Sequence, residues 1–101
     1  MAAFYAETTH ARIESQIMES QNELKEGQSL SVEFILADGR KIIPNYIGYH
    51  NIMFIVLYGE DEHGNEIKIL LHHTNAQVVI TKLNKPQETK KIGFQQRTER
   101  D

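Results

Sequence analysis

Apolar and polar residues alternate through the middle of this chain, which predicts a β-sheet. Alternate positions of the run 30–37 are apolar, and successive side chains of a strand point to opposite faces. Asp38–Gly39 follows that run, and Asp-Gly between two alternating runs is a strong hairpin signal. We therefore expect a hairpin with a second strand over 40–49. Pro44 lies inside that strand and cannot donate to a ladder, so the strand bends, bulges or lies at an edge there.

The pattern predicts three further strands. A run of apolar residues at 52–57 belongs to a strand expected over 51–58, and apolar residues on both faces indicate a strand that is covered on both sides. The polar residues 59–65 include two glycines and predict an exposed hairpin loop. Alternation resumes in a fourth strand over 66–73, and a short apolar run predicts a fifth over 76–82.

A helix is predicted before the sheet, over 9–26. Thr8 or Thr9 can cap its start, and Gly27 stands where a glycine commonly ends a helix. It carries one narrow apolar stripe, formed by Ile13, Ile17, Met18 and Leu24. Such a stripe favours a helix that covers one open end of the sheet, and a partner-binding helix is the alternative. Residues 1–8 are expected to form an arm.

The length of 101 residues allows one domain. We expect that domain over 9–83, followed by a polar tail over 84–101. A chain of this size buries roughly 60–65% of its unfolded surface, so association with copies of itself would add useful burial. The predicted strand 76–82 would be an open edge, which soluble proteins avoid, and pairing with a neighbouring subunit would cover it.

The net charge of −3 is unevenly distributed. Residues 84–101 carry five Lys or Arg against three Asp or Glu, whereas the remainder carries six against eleven. An acidic body argues against binding long nucleic acid over the whole surface, although it permits a focused site. The absence of Cys excludes disulfides and thiolate metal sites. We expect a cytoplasmic protein without a signal peptide or membrane span.

Two segments of the chain resemble the sequence motifs of the Sm-like family, which includes the bacterial Hfq proteins. The positions that match the first motif are Val32, Phe34, Leu36, Asp38, Gly39, Arg40, Lys41, Ile42, Tyr46, Tyr49, Met53, Ile55, Val56 and Leu57. The run 70–80 is similar to the second motif in its Hfq form, with Leu71-His72-His73 in place of Tyr-Lys-His and Val78-Val79 in place of the Val pair. The resemblance covers about residues 9–82.

This resemblance implies a mainly β, SH3-like fold. An N-terminal helix would precede a strongly bent, five-stranded antiparallel β-barrel. It also implies a ring of about five to seven subunits, joined through the fourth and fifth strands. The implied function is binding of short single-stranded, U-rich RNA at the central pore, with a role as an RNA chaperone or in RNA metabolism.

This sequence departs from the family pattern where the family binds RNA. His50 replaces an aspartate, Asn51 replaces the Gln of Hfq, and Ile52 replaces its base-stacking Phe. On the distal, adenine-binding face, Ile35 and Ile43 replace a Tyr and a Gln. Two further departures are Pro44 and Phe54. A divergent copy carried by a phage would look like this.

The resemblance implies that two loops line the pore. The RNA-binding candidates there are His50, Asn51, Ile52, His72 and His73, with Lys41 a weaker candidate on the distal face. Single-stranded RNA is held by base stacking, base-edge hydrogen bonds and cationic contacts. An Asn can read a uracil edge, and a His can stack, donate, or carry charge below about pH 6.5.

Other uses of His72 and His73 stay open. They can be ordinary residues at the end of a strand. Adjacent strand residues point to opposite faces, so they would make a poor chelate within one chain, and a metal would need a collar of symmetry copies. We expect no resident metal, no cofactor and no catalytic activity, because the chain contains none of the common catalytic motifs.

Two rival functions remain. The first is an Sm-fold assembly or interaction protein that has lost RNA binding, which the acidic body and the replaced stacking Phe favour. The second is an SH3-like peptide-binding module, in which Tyr5, Tyr46 or Tyr49 would line a groove.

Overall fold

The computed structural model describes residues 5–86 and 92–94, and its fold is mainly β with one N-terminal helix. The elements are helix α1 (Tyr5–Asn22) and strands β1 (Ser29–Ile35), β2 (Lys41–Ile42), β3 (Tyr46–His50), β4 (Phe54–Glu60), β5 (Glu66–His72), β6 (Gln77–Leu83) and β7 (Gly93–Phe94). A 3-10 turn, His73–Asn75, joins β5 to β6. The prediction of a mainly β chain behind a helix is confirmed.

The described strands form two sheets. One has the order β2-β1-β6 and the other the order β5-β4-β3-β7. Neighbouring strands are antiparallel, except that β7 runs parallel to β3. Among the described residues, β5 therefore ends one sheet and β6 ends the other.

The core lies where the two sheets and α1 meet. Phe34 of β1 and Ile47, Ile55 and Leu57 of the other sheet are fully buried. Ile17 of α1 belongs to the same cluster. Full burial of a side chain of this size contributes about 1.5–3 kcal/mol. Strand β4 is buried at three successive residues, as its apolar run predicts. The strand starts at Phe54 instead of at 51, however, and Ile52 and Met53 are exposed in the turn before it.

Pro44 divides the predicted second strand into β2 and β3. Strand β2 pairs with β1, and β3 pairs with β4 in the other sheet. Because proline has no N–H for a ladder, the chain leaves the first sheet here, and the Asn45 N–H then donates to the Tyr58 carbonyl (2.9 Å). The bend expected at Pro44 is therefore confirmed.

The helix begins and ends four residues earlier than the sequence predicts. Tyr5–Thr8 are helical, so the prediction of an arm is wrong for these residues, and residues 1–4 lie outside the described chain. The Ala6 N–H donates to the Ile52 carbonyl (2.8 Å), which satisfies one of the donors that a helix start leaves unpaired. Gly27 has a φ of +85° in a separate turn, where the Gln28 N–H donates to the Lys25 carbonyl (3.0 Å).

The predicted tail is described at 84–86 and 92–94. Ile92 and Phe94 pack against the core, so this part of the tail belongs to the domain. The basic residues Lys90, Lys91, Arg97 and Arg100 lie outside the described residues. No helix in the described ranges is long and apolar enough to cross a membrane.

Candidate nucleic-acid interface

Two turns and the start of α1 meet at one place, which we call the turn cluster: Tyr5, Ile52, Met53, His72 and His73. The His73 N–H donates to the Met53 carbonyl (2.8 Å), and the Ile52 carbonyl accepts from the start of the helix. The ring of Tyr5 stacks on that of His73, with centroids 5.4 Å apart and planes 18° apart. Three segments that are distant in sequence thus form one surface.

The two histidines stack on each other. Their ring centroids are 5.0 Å apart and their planes differ by 26°. The expectation that they point to opposite faces is therefore wrong. Alternation holds only in extended backbone, and the strand ends at His72, after which His73 starts the 3-10 turn.

Threonines hold both imidazoles, one next to His72 in the chain and one on α1. The Thr74 N–H donates to Nδ1 of His72 (3.3 Å), and Oγ1 of Thr74 lies 2.7 Å from the same nitrogen. An acceptor Nδ1 puts the ring proton of a neutral imidazole on Nε2, so Nε2 of His72 is the donor that a ligand would meet. Nδ1 of His73 lies 3.2 Å from Oγ1 of Thr9 on α1.

Exposed apolar side chains border the stacked rings. The exposed fractions of Tyr5, Ile52 and Met53 are 41%, 44% and 39%. Phe54 meets the His72 ring edge-on at 6.3 Å. Tyr5 is the exposed ring of this stack, and His72 and His73 are half-buried. A partly exposed ring stack beside aliphatic surface is suited to a flat, weakly polar ring such as a nucleobase.

Asn51 shapes the turn that presents Ile52 and Met53. Its φ is +46°, a left-handed conformation that Asn tolerates better than most residues. Its Oδ1 accepts from the Met53 N–H (2.9 Å). The predicted role in RNA binding would use both polar atoms of this side chain, and one of them is already bonded within the turn.

His50 lies across Phe54 from His72, and Lys41 lies in the other sheet. His50 ends β3 opposite Phe54, and its buried Nδ1 has no hydrogen-bond partner in the described part of the chain. Lys41 is exposed on β2, where it pairs with Ile35 of β1. Both residues belong to the β2-β1-β6 sheet. Of the six predicted site residues, the fold brings together Asn51, Ile52, His72 and His73.

Tyr5 and Thr9 are site residues that the sequence pattern does not predict. Tyr5 was expected in an arm and Thr9 as a helix cap, yet one stacks on His73 and the other holds its Nδ1. An aromatic residue directly before an amphipathic helix was the available signal. Its partner is 68 residues away in the chain, so local pattern could not identify the contact.

The described residues give no evidence of a metal-binding site. They contain no group of three or more His, Cys, Asp or Glu residues that could hold a metal ion. Each imidazole of the turn cluster has its Nδ1 beside a threonine. The chemistry that this surface offers is stacking, apolar contact and hydrogen-bond donation.

No family model, curated protein or solved structure matches this chain. The turn cluster and the two sheet edges are therefore the features from which a function can be inferred.

Proposed function

We propose that this chain is a ring-forming, Sm-like protein that binds short single-stranded, U-rich RNA through the turn cluster. The observation that carries the proposal is the partly exposed stack of Tyr5, His73 and His72 beside two exposed aliphatic side chains. Stacking a base on a side-chain ring contributes about 1–3 kcal/mol and tolerates different bases. The general role would be that of an RNA chaperone or a factor in RNA metabolism.

The two sheet edges support assembly. Strands β5 and β6 each end a sheet of the described residues, and each exposes an apolar residue, Leu70 and Val79. An exposed edge with apolar side chains is a template for pairing with another chain. Pairing β5 of one copy with β6 of the next would form a closed ring of about five to seven copies. The turn between these strands carries His72 and His73, so each copy would add one stack at a junction.

Five of the six predicted residues have a defined part in this proposal, and His50 has none. Nε2 of His72 donates to a base or a phosphate. His73 is the middle ring of the stack, so the outer rings of Tyr5 and His72 offer the stacking faces. Ile52 gives aliphatic contact where the related Hfq sequences have an aromatic ring. Asn51 holds the turn and offers its amide N–H groups, whose donor pattern suits the carbonyl oxygens of uracil. Lys41 lies in the other sheet and would contact RNA only on a separate face.

The second candidate is an assembly protein with the same ring and no RNA site. Two observations favour it: the turn cluster contains no Lys or Arg, and Asn51 uses its Oδ1 within its own turn. Phosphate contacts dominate the affinity of most nucleic-acid-binding proteins. A site without such cations would bind RNA weakly or not at all.

Titration of the protein with labelled oligo-U and oligo-A at low and moderate salt separates the two candidates. We expect oligo-U to bind, and a loss of about tenfold or more in the double variant Tyr5→Ala/His73→Ala, by the stacking energies above. His63→Ala is the matched control, because His63 is exposed in the loop after β4, away from both turns of the cluster. Light scattering gives the assembly mass.

The outcomes are distinct. A ring that binds neither oligonucleotide overturns the RNA function and supports the assembly protein. Binding of oligo-U that survives His72→Ala/His73→Ala overturns the site and leaves the function. A monomeric mass overturns the ring in both candidates.

A further inference from the structure

The short strand β7 covers the edge of β3 in an unusual way. Gly93 and Phe94 pair in parallel with Tyr46 and Ile47, and the Gly93 N–H donates to the Asn45 carbonyl (3.0 Å). Without these residues β3 would be the open edge of its sheet. The chain thus reaches back from the end of β6, which lies in the other sheet, to occupy a slot beside β3.

The slot provides a specific place for an aromatic ring. Phe94 meets the ring of His10 edge-on at 5.5 Å, and His10 meets Tyr49 edge-on at 5.1 Å. His10 is only 5% exposed, and its Nε2 lies 3.0 Å from the Ile47 carbonyl. Helix α1 and strand β3 therefore build the two walls together, and Ile92 adds apolar contact with the core.

The slot also selects for glycine. A Cβ atom added at Gly93 would lie 3.0 Å from Cδ2 and 3.3 Å from Cε2 of Tyr46. Tyr46 is itself packed edge-on against Tyr58 at 5.4 Å, so moving its ring away would disturb a second contact. The groove therefore recognises an extended segment in which glycine lies between an apolar and an aromatic residue.

The internal segment is held by little pairing. Two residues of β7 pair with β3, whereas seven residues pair between β4 and β5. Parallel pairing is slightly less stable per residue than antiparallel pairing. Because the segment belongs to the same chain, a free peptide displaces it only when the peptide concentration exceeds the effective concentration of the segment.

We infer that the slot between α1 and the β3 edge is a peptide-binding site that accepts an apolar–Gly–aromatic strand from a partner protein. Residues 92–94 are its internal occupant. Strand addition to a sheet edge is a common mode of peptide recognition, in which main-chain bonds give affinity and side-chain pockets give specificity. The inference is independent of the RNA proposal, because it uses neither the turn cluster nor the edges of β5 and β6.

The test uses the full chain carrying Gly93→Ala, which we expect to weaken the hold of the slot on the internal segment, because the added Cβ crowds the Tyr46 ring. The probe is the labelled peptide KKIGFQQ, a copy of residues 90–96. We expect this variant to bind the peptide at least about tenfold more tightly than the wild-type chain does, because its slot is more often free. The matched control is KKIAFQQ, which has the same length and charge and should not bind.

A second measurement does not depend on the variant. Phe94 is replaced by 4-fluorophenylalanine in the otherwise unchanged chain, and its fluorine resonance is followed during titration. An excess of KKIGFQQ should move the resonance to its solvent-exposed position, whereas KKIAFQQ should leave it in place. Failure of both measurements overturns the site. If the mass doubles without added peptide and Phe94→Ala abolishes the doubling, the occupant of the slot is a second copy of the chain. That outcome would overturn the inference that a partner protein binds there.

Discussion

The hairpin loops at 36–40 and 61–65 and the turn cluster are built in opposite ways. In the first loop, the Arg40 N–H and Nε donate to the Asp38 carboxylate at 3.1 and 2.8 Å. In the second loop, the Asp61 carboxylate accepts from the backbone of His63 and Asn65. All of these contacts lie within five residues of the chain.

The turn cluster depends instead on partners far away in sequence. Ile52 accepts from Ala6, and His73 meets Tyr5, Thr9 and Met53. The candidate interface therefore exists only when α1 is seated on the sheets. A local loop can form without the rest of the fold, whereas the turn cluster forms only when the whole domain is folded.

The largest expected effect comes from truncating a side chain in the core that supports both the hairpin loops and the turn cluster. Phe34→Ala empties a fully buried position, and truncating a buried Phe costs about 3–5 kcal/mol. We expect urea denaturation, followed by circular dichroism, to show this loss. Met18→Ala is the control, because Met18 is exposed on α1. Equal midpoints for the two variants would contradict the position assigned to the core.

A smaller effect is expected at Asn51. Asn51→Ala removes both the bond to Met53 and a residue that tolerates a positive φ, and left-handed backbone costs other residues about 1–2 kcal/mol. Asn51→Gly should recover the part of that loss that comes from the positive φ, because glycine adopts this conformation readily. Chemical shifts of the Tyr5 ring should move in the Ala variant. Gly39→Ala, at a φ of +92°, should destabilise a local loop and leave those shifts unchanged.

Thr9→Val tests the link between α1 and His73. It removes the hydroxyl beside Nδ1 of His73 while keeping the size of the side chain. A typical intramolecular hydrogen bond contributes about 0.5–1.5 kcal/mol, so we expect a loss of that order in the free energy of unfolding. Thr8→Val, at the exposed neighbouring position, should change it by less than about 0.5 kcal/mol. Equal free energies of unfolding for the two variants would show that Thr9 does not stabilise His73.

The smallest effect belongs to the local loops and depends on pH. Hydrogen bonds from Asn65, and one from the His63 backbone, lower the pKa of Asp61 below 3.8. The folded state thus binds this proton less tightly than the unfolded state, so the stabilisation is present above the ordinary pKa and is lost as pH falls through the lowered one. Asp61→Asn should lose less stability than the wild-type chain between pH 6 and pH 3 in urea denaturation. If the variant and the wild-type chain lose equal stability between pH 6 and pH 3, Asp61 does not contribute to the loss at low pH.

The features that the sequence predicts are those set by neighbouring residues. Alternation over 30–37 and the glycine after Asp38 place the first hairpin, and Pro44 marks the change of sheet. The residue pattern alone assigns Asn51, Ile52, His72 and His73 to predicted strands, and only the resemblance to Sm motifs implies that they line two loops. The resemblance to Sm motifs supplied their predicted role.

The features that the sequence does not predict depend on distant contacts. The helix starts at Tyr5 because a carbonyl from the β3–β4 turn accepts from Ala6. His72 and His73 stack because the strand ends between them, a boundary that is set by the bond from His73 to Met53. Strand β7 forms because a glycine fits under Tyr46, and nothing near Gly93 in the sequence indicates that partner.

The stack on His73 also gives the protein an optical property. The chain has four tyrosines and no tryptophan, so its near-ultraviolet absorption and emission come from tyrosine. Three of these residues lie on β3 and β4, and Tyr5 alone belongs to the turn cluster. The difference in emission between the native chain and a Tyr5→Phe variant therefore isolates one ring on the candidate interface. Occupancy of that surface can be followed in solution without any attached dye.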